Sequence, residues 1–164
     1  MGDRCVARRA TGDRGSAMVE FLGMSLLLLV PLIYLVVALC RIQAGVYSAE
    51  LAARDAARGG VVAGVGSLDS GASRVAALDA ASRRANSAVA LTLDDFGFDA
   101  DRDATIALTC VPPPCFEPGS DLHARVDVEV AFPGLPGFVR AWLPLSVTVS
   151  GEASSPVDGF ASGK

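Results

Sequence analysis

Three groups of residues in this chain have the types and spacing to do chemistry: a close cysteine pair, an alternating acidic run, and a lone carboxylate opening an apolar stretch. Cys110 and Cys115 bracket Val111-Pro112-Pro113-Pro114. Thiols this close can join as a disulfide in an oxidising compartment, with free thiols or a metal site as the alternatives. Zinc would need two further ligands, and His123 is the only histidine, so no metal centre is expected. Asp99-x-Asp101-x-Asp103 has the first three ligand positions of a calcium loop. Ala104 stands where that loop needs glycine, and Cys110 where it needs glutamate. Together with Asp94 and Asp95 the run reads as a solvated acidic patch, with a weak calcium site as the alternative. No Gly-x-Ser-x-Gly elbow, His-Glu-x-x-His pair or phosphate-cradling glycine loop occurs, so neither enzymatic activity nor a cofactor is expected.

The third group, Arg14-Gly15-Ser16-Ala17-Met18-Val19-Glu20-Phe21, introduces an uncharged run from Phe21 to Cys40. At 1.5 Å per residue a helix of that length covers a hydrocarbon core of about 30 Å. A buried helix of a soluble protein seldom keeps every face apolar over such a length, so the run predicts a membrane span. An acidic residue at mid-bilayer costs about 2.5–3.5 kcal/mol on insertion scales. Glu20, at the lip, costs less and wants a partner. Arg4, Arg8, Arg9 and Arg14 outnumber Asp3 and Asp13 ahead of the span, whereas Arg41, Arg54 and Arg58 are partly offset by Glu50 and Asp55 beyond it. That bias predicts a cytoplasmic N-terminus and an extracytoplasmic remainder.

Two other kinds of leader fit the residues less well. A secretory signal cut near Ile42-Gln43-Ala44 would have a shorter apolar core, and here a helical pattern continues past the site. A lipoprotein anchor needs a small residue before its cysteine, and Leu39 precedes Cys40. A net charge of −4, with Lys164 the only lysine, argues against nucleic acid as a partner.

The block from Arg14 to Phe21, with a basic leader before it and the apolar run after it, resembles the type III signal of type IV prepilins. The match is nearest to TadE-like (TadE/TadF) proteins of tight-adherence, or Flp, pilus systems. Ala49-Glu50-Leu51-Ala52-Ala53-Arg54-Asp55-Ala56-Ala57-Arg58 is similar to the small-residue tail of their helix, so the resemblance spans residues 14–60. It implies cleavage between Gly15 and Ser16 by a prepilin peptidase, with Glu20 and Phe21 then lying near the new N-terminus and Glu20 acting in assembly. It also implies an inner-membrane protein whose partners are the bilayer, other pilin or pseudopilin subunits and the pilus assembly machinery. The implied function is that of a minor pilin or pseudopilin. Physically, glycine lets an extended backbone enter a protease cleft, and Glu20 could pair with the amine freed at Ser16. The plainer alternative is that Gly15 ends a loose leader and Glu20 reaches for water. The alternative function is a membrane-tethered extracytoplasmic binding module. Pro31 fits the habit of pilin-like helices loosely, and Gly23 and Ser25 depart from it.

Beyond the span, Val46, Ala49, Ala53 and Ala56 or Ala57 recur on one helical face as far as Arg58, where Gly59-Gly60 predicts a stop. Gly64 to Gly71 reads as a flexible break. A second helix is predicted with Val75, Leu78, Ser82, Ala85 and Val89 on its packed side. Three alternating stretches then predict strands: around Ile106, Leu108 and Cys110; Val126, Val128, Val130 and Phe132; and Leu143, Leu145, Val147 and Val149. Pro144 marks the last as an edge strand, and residues 133–137 read as a turn. The expected architecture is α+β: a long N-terminal transmembrane helix continuing outside, a second helix and a small antiparallel sheet. The expected divisions are a leader (1–15), the long helix (16–60), an extracytoplasmic domain (61–151) and a disordered tail (152–164).

Overall fold

The computed structural model describes residues 13–132 and 146–158, with side chains from residue 17 onward. The elements are α1 (Asp13–Asp69), α2 (Arg74–Asp95), a single turn α3 (Ala100–Asp103), and strands β1 (Ala104–Val111), β2 (Asp121–Ala131) and β3 (Ser146–Pro156). The fold is α+β, as the residue pattern predicts. The chain divides into two compact units, Met1–Leu39 and Cys40–Lys164, and α1 contributes residues to both.

In the first unit α1 exposes apolar side chains all round, among them Phe21, Leu27, Leu28 and Leu35. Its most apolar window has a mean hydropathy of 2.6 and buries none of its residues. It is the one helix among the described residues long and apolar enough to cross a membrane.

In the second unit the character of α1 changes from large aliphatic to small. Ala49, Ala52, Ala53, Ala56 and Ala57 are buried along it, joined by Ser48, whose hydroxyl donates to the Gly45 carbonyl at 2.9 Å. This is the face the sequence predicts, with Val46 half-buried at its edge. Small side chains let other elements approach the helix axis closely. The sheet uses that freedom fully: a Cβ placed on Gly151 of β3 would collide with the Ala49 carbonyl and the Glu50 amide nitrogen. One placed on Gly45 would strike Val130.

The same logic corrects the predicted end of α1. Gly59-Gly60 does not stop the helix, which runs on to Asp69. Gly60 is buried, and a Cβ there would lie 2.7 Å from Cδ2 of Leu122. These glycines therefore serve packing, at a helix-propensity cost of about 1 kcal/mol each that burial of Leu122 and its neighbours offsets. The predicted break at Gly64–Gly71 shrinks to the few residues after Asp69, where Gly71 takes a left-handed φ of 84°. Ser73 then caps α2, its hydroxyl accepting from the Ala76 amide at 3.3 Å.

The packed face of α2 agrees with the predicted one at Ala85 and Val89 and departs from it at Val75 and Leu78. Ala77, Ala81, Ala85, Val89 and Leu93 are buried, whereas Val75 and Leu78 are exposed. Close packing against Val61, Val65, Leu68 and Phe116 selects the smallest residues at the start of the helix, so the larger side chains mark its outside.

β2 is the central strand of a three-stranded antiparallel sheet ordered β1-β2-β3. Its alternation holds as predicted, with Val126, Val128 and Val130 buried and Arg125 and Glu129 exposed. Ile106 and Gly151 flank Val126 on either side in register. β3 is an edge strand, as expected; Leu143, Pro144 and Leu145, like the turn at 133–137, fall outside the described residues. The tail expected to be disordered from Glu152 is instead strand as far as Pro156, and Val157 is buried with its amide bonded to the Ser120 carbonyl at 2.9 Å. Residues 159–164 lie outside the described residues.

Gly151→Ala should lower the stability of the full chain in detergent by at least about 1–3 kcal/mol, the usual cost of overpacking. Gly66→Ala, on an open stretch of α1 with nothing within 4 Å, should raise it by about 0.5–1 kcal/mol. Chemical denaturation followed by circular dichroism reads both, and equal effects would refute the proposed backbone contact.

Candidate functional site

The predicted cleavage residues, Gly15 and Ser16, fall in the first turn of α1, which begins at Asp13. Ser16 and Glu20 are thus one helical turn apart on the same face of the backbone. Glu20 is exposed and has no ion pair among the described residues; Phe21 beside it is 70% exposed. Nothing among the described residues neutralises this carboxylate before the apolar run begins. Cys40, at the far end of that run, is an exposed free thiol.

Cys110 and Cys115 are joined as a disulfide, with their Cα atoms 5.5 Å apart. The bridge closes the turn that follows β1 and delivers Phe116 to its place. Phe116 adopts a left-handed φ of 64°, uncommon for a bulky residue, and is buried against Gly64 of α1. Gly64 is therefore a seat for an aromatic ring, which its lack of a side chain makes possible.

The acidic run is occupied by local work. Asp99 caps α3, its carboxylate accepting from the Asp101 amide at 3.1 Å, while Asp103 accepts from the Asp99 amide at 3.0 Å. Arg102 donates to Asp103 at 3.0 Å and holds its carboxyl below the ordinary range, against an opposing effect of burial. Among the described residues no three His, Cys, Asp or Glu side chains gather as a metal-holding group.

On the exposed face of the sheet, cross-strand register assembles a network that the sequence does not reveal. Arg125 faces Glu152, and Asp127 faces Ser150. Arg125 donates to Asp127 at 3.1 Å, to Glu152 at 2.7 Å and to the Ser150 hydroxyl at 3.2 Å. Ser150 in turn donates to Asp127. The bonds from Arg125, then from Ser150, hold the Asp127 carboxyl below its ordinary value. The alternation of β2 marks Arg125 and Asp127 as outward-facing, but of their partners Glu152 sits in the stretch read as tail, and Ser150 meets them only through the cross-strand register. His123 stands on the same strand opposite Ser154 and is exposed.

Because its folded pKa is depressed, Asp127 contributes stability above the ordinary carboxylate value of 3.8, and that contribution is lost as pH falls through the folded value. Melting curves near neutrality and below pH 3.8 should therefore show wild type losing more stability on acidification than Asp127→Asn. Replacing Cys110 and Cys115 by serine should cost about 2 kcal/mol from loop-closure entropy alone, read as a lower denaturation midpoint. An unchanged midpoint would separate the bridge from the seating of Phe116.

Comparison of the chain with protein families, with characterised proteins and with solved structures returns no match.

Proposed function

We propose that this chain is a minor pilin- or pseudopilin-like subunit that assists assembly of a tight-adherence (Flp) type IV pilus or related secretion filament. In this reading a prepilin peptidase cuts after Gly15 on the cytoplasmic side of the inner membrane. Residues 21–40 stay in the bilayer, and the α+β unit beginning at Cys40 lies outside. The role is structural rather than catalytic.

The observation that carries the reading is the unpaired Glu20 one helical turn from Ser16, at the threshold of the apolar run. Before cleavage that carboxylate has no partner among the described residues. Cleavage creates a positively charged amine at Ser16, within reach of Glu20 of the same chain or of a neighbouring subunit. Pairing the two removes two charges from the edge of the lipid. It also makes the processed form the one suited to lateral packing among other apolar helices. The small residues of α1 beyond Ala44 support the reading more weakly, because the chain's own sheet and α2 already use them.

Gly15→Ala, or a bulkier residue there, should leave the full chain uncut when co-produced with a prepilin peptidase, whereas wild type should begin at Ser16 on N-terminal sequencing. Glu20→Ala should still be cut yet fail to support assembly. Processing that is indifferent to residue 15, or an intact N-terminus in wild type, would refute the proposal and leave a membrane-tethered binding module.

A further inference from the structure

The outer side of α1 and α2 carries a groove of about 400 Å³, lined by Asp55, Arg58 and Val62 of α1 and by Arg84, Ala88 and Leu91 of α2. Folding accounts for Asp55, which accepts from the Thr92 hydroxyl at 3.3 Å, but not for the groove's arginines and large aliphatic side chains. Arg58 and Arg84 have no ion pair or hydrogen bond among the described residues, unlike Arg54, Arg74, Arg83, Arg102 and Arg125. Val62 and Leu91 are large aliphatic side chains about two-thirds exposed, at 68% and 69%. Further along α2, Asp94 and Asp95 stand exposed and unpaired in the last turn, where no basic residue accompanies them. Negative charge at a helix C-terminus opposes the helix dipole, so the position is unfavourable for the isolated chain.

These features share one seam. Arg84, Ala88, Leu91 and Asp95 follow at intervals of four, three and four residues, the spacing of a helix–helix contact stripe. The stripe is basic at one end, apolar in its middle and acidic at the other. An antiparallel copy of the same helix that sets Ala88 against Leu91 also sets Arg84 against Asp95, twice over. The surface is thus its own complement, as a two-fold interface requires.

We infer that this groove is a self-association surface, in which α2 of a second copy packs antiparallel along α2 with Arg84 of each copy against Asp95 of the other. Arg58 sits on the turn of α1 beside Gly59, and Gly59 lies against the Arg84 side chain. It therefore adds a second cation facing the same acidic end. Leu91 and Val62 lose their contact with water in the pair. The antiparallel arrangement also sets each negative helix end near the positive end of its neighbour. The inference concerns the unit beginning at Cys40 and does not depend on processing at Gly15.

A charge swap tests it on the full chain in detergent micelles, with association measured by sedimentation equilibrium. Arg84→Asp and Asp95→Arg should each weaken dimerisation by at least about tenfold, because each places like charges together across the interface. The double variant restores both pairs with signs exchanged and should associate more tightly than either single variant, short of wild type because Arg58 then meets a cation. Cross-linking provides a reading that tolerates loss of either charged variant. With Cys5 and Cys40 replaced by serine, mixed Ala88→Cys and Leu91→Cys chains should form an oxidised heterodimer, whereas Leu78→Cys mixed with Ala88→Cys should not. A monomeric wild type, single variants that associate like wild type, or a double variant as weak as the singles would each overturn the inference. Sequencing of the N-terminus touches none of these residues, so this proposal and the pilin-like reading can fail separately.

Discussion

The second unit depends on how closely a sheet can lie on a helix. Gly151 brings the β3 backbone against the backbone of α1 at Ala49 and Glu50, with no room for a side chain between them. At such a separation only alanine, serine and glycine fit on the helix face, and Ser48, Ala49, Ala52, Ala53 and Ala56 supply it. The sheet answers with valines: Val126, Val128 and Val130 fill the space that those residues leave. Packing density comes here from short reach rather than large side chains, which is why a domain with few aromatic residues still has a closed core.

The same constraint explains the distribution of side-chain size along α1. Between Phe21 and Leu39 the helix bears large aliphatic residues on every face, suited to a surrounding that is itself apolar. Beyond Ala44 large groups would hold the sheet away, and the residues become small. A run long and apolar enough to cross a membrane and a face closed by protein thus write two alphabets into one helix. The glycines at 45, 60 and 64 belong to the second alphabet, each receiving a side chain from another element: Val130, Leu122 and Phe116.

That dual use decides what could be read from the residues alone. The apolar run, the alternation of β2 and the cysteine pair were legible because each is set by local pattern or proximity. The end of α1 was not, because Gly59-Gly60 carries the same letters whether it breaks a helix or lets Leu122 approach one. The packed face of α2 was legible at Ala85 and Val89 but not at the start of the helix, because size normally signals burial, while there the closest contacts demand alanine and leave Val75 and Leu78 outside. β3 beyond Ser150 has almost no hydrophobic signal; its strand character comes from pairing with β2, and its smallness from lying on α1. The Arg125 network needed that register before its members could meet.

The distinction that matters for function is between charges that the fold employs and charges that it leaves alone. Asp99 and Asp103 cap a turn, Asp127 and Glu152 hold Arg125, and Asp79, Glu50 and Glu117 each engage an arginine. Those residues have local reasons to be where they are. Glu20 has none among the described residues, and neither do Arg58 and Arg84, which share one groove of the α1–α2 pair, nor Asp95 further along α2. A lone carboxylate facing lipid and a helix end charged against its own dipole both raise the energy of an isolated subunit. Under the two proposals, each is relieved by a charge of opposite sign from outside the described structure: an amine created by cleavage in one case, a second copy of the same helix in the other. In both proposals, a charge left unfavourable in the isolated chain favours the state that brings it a partner.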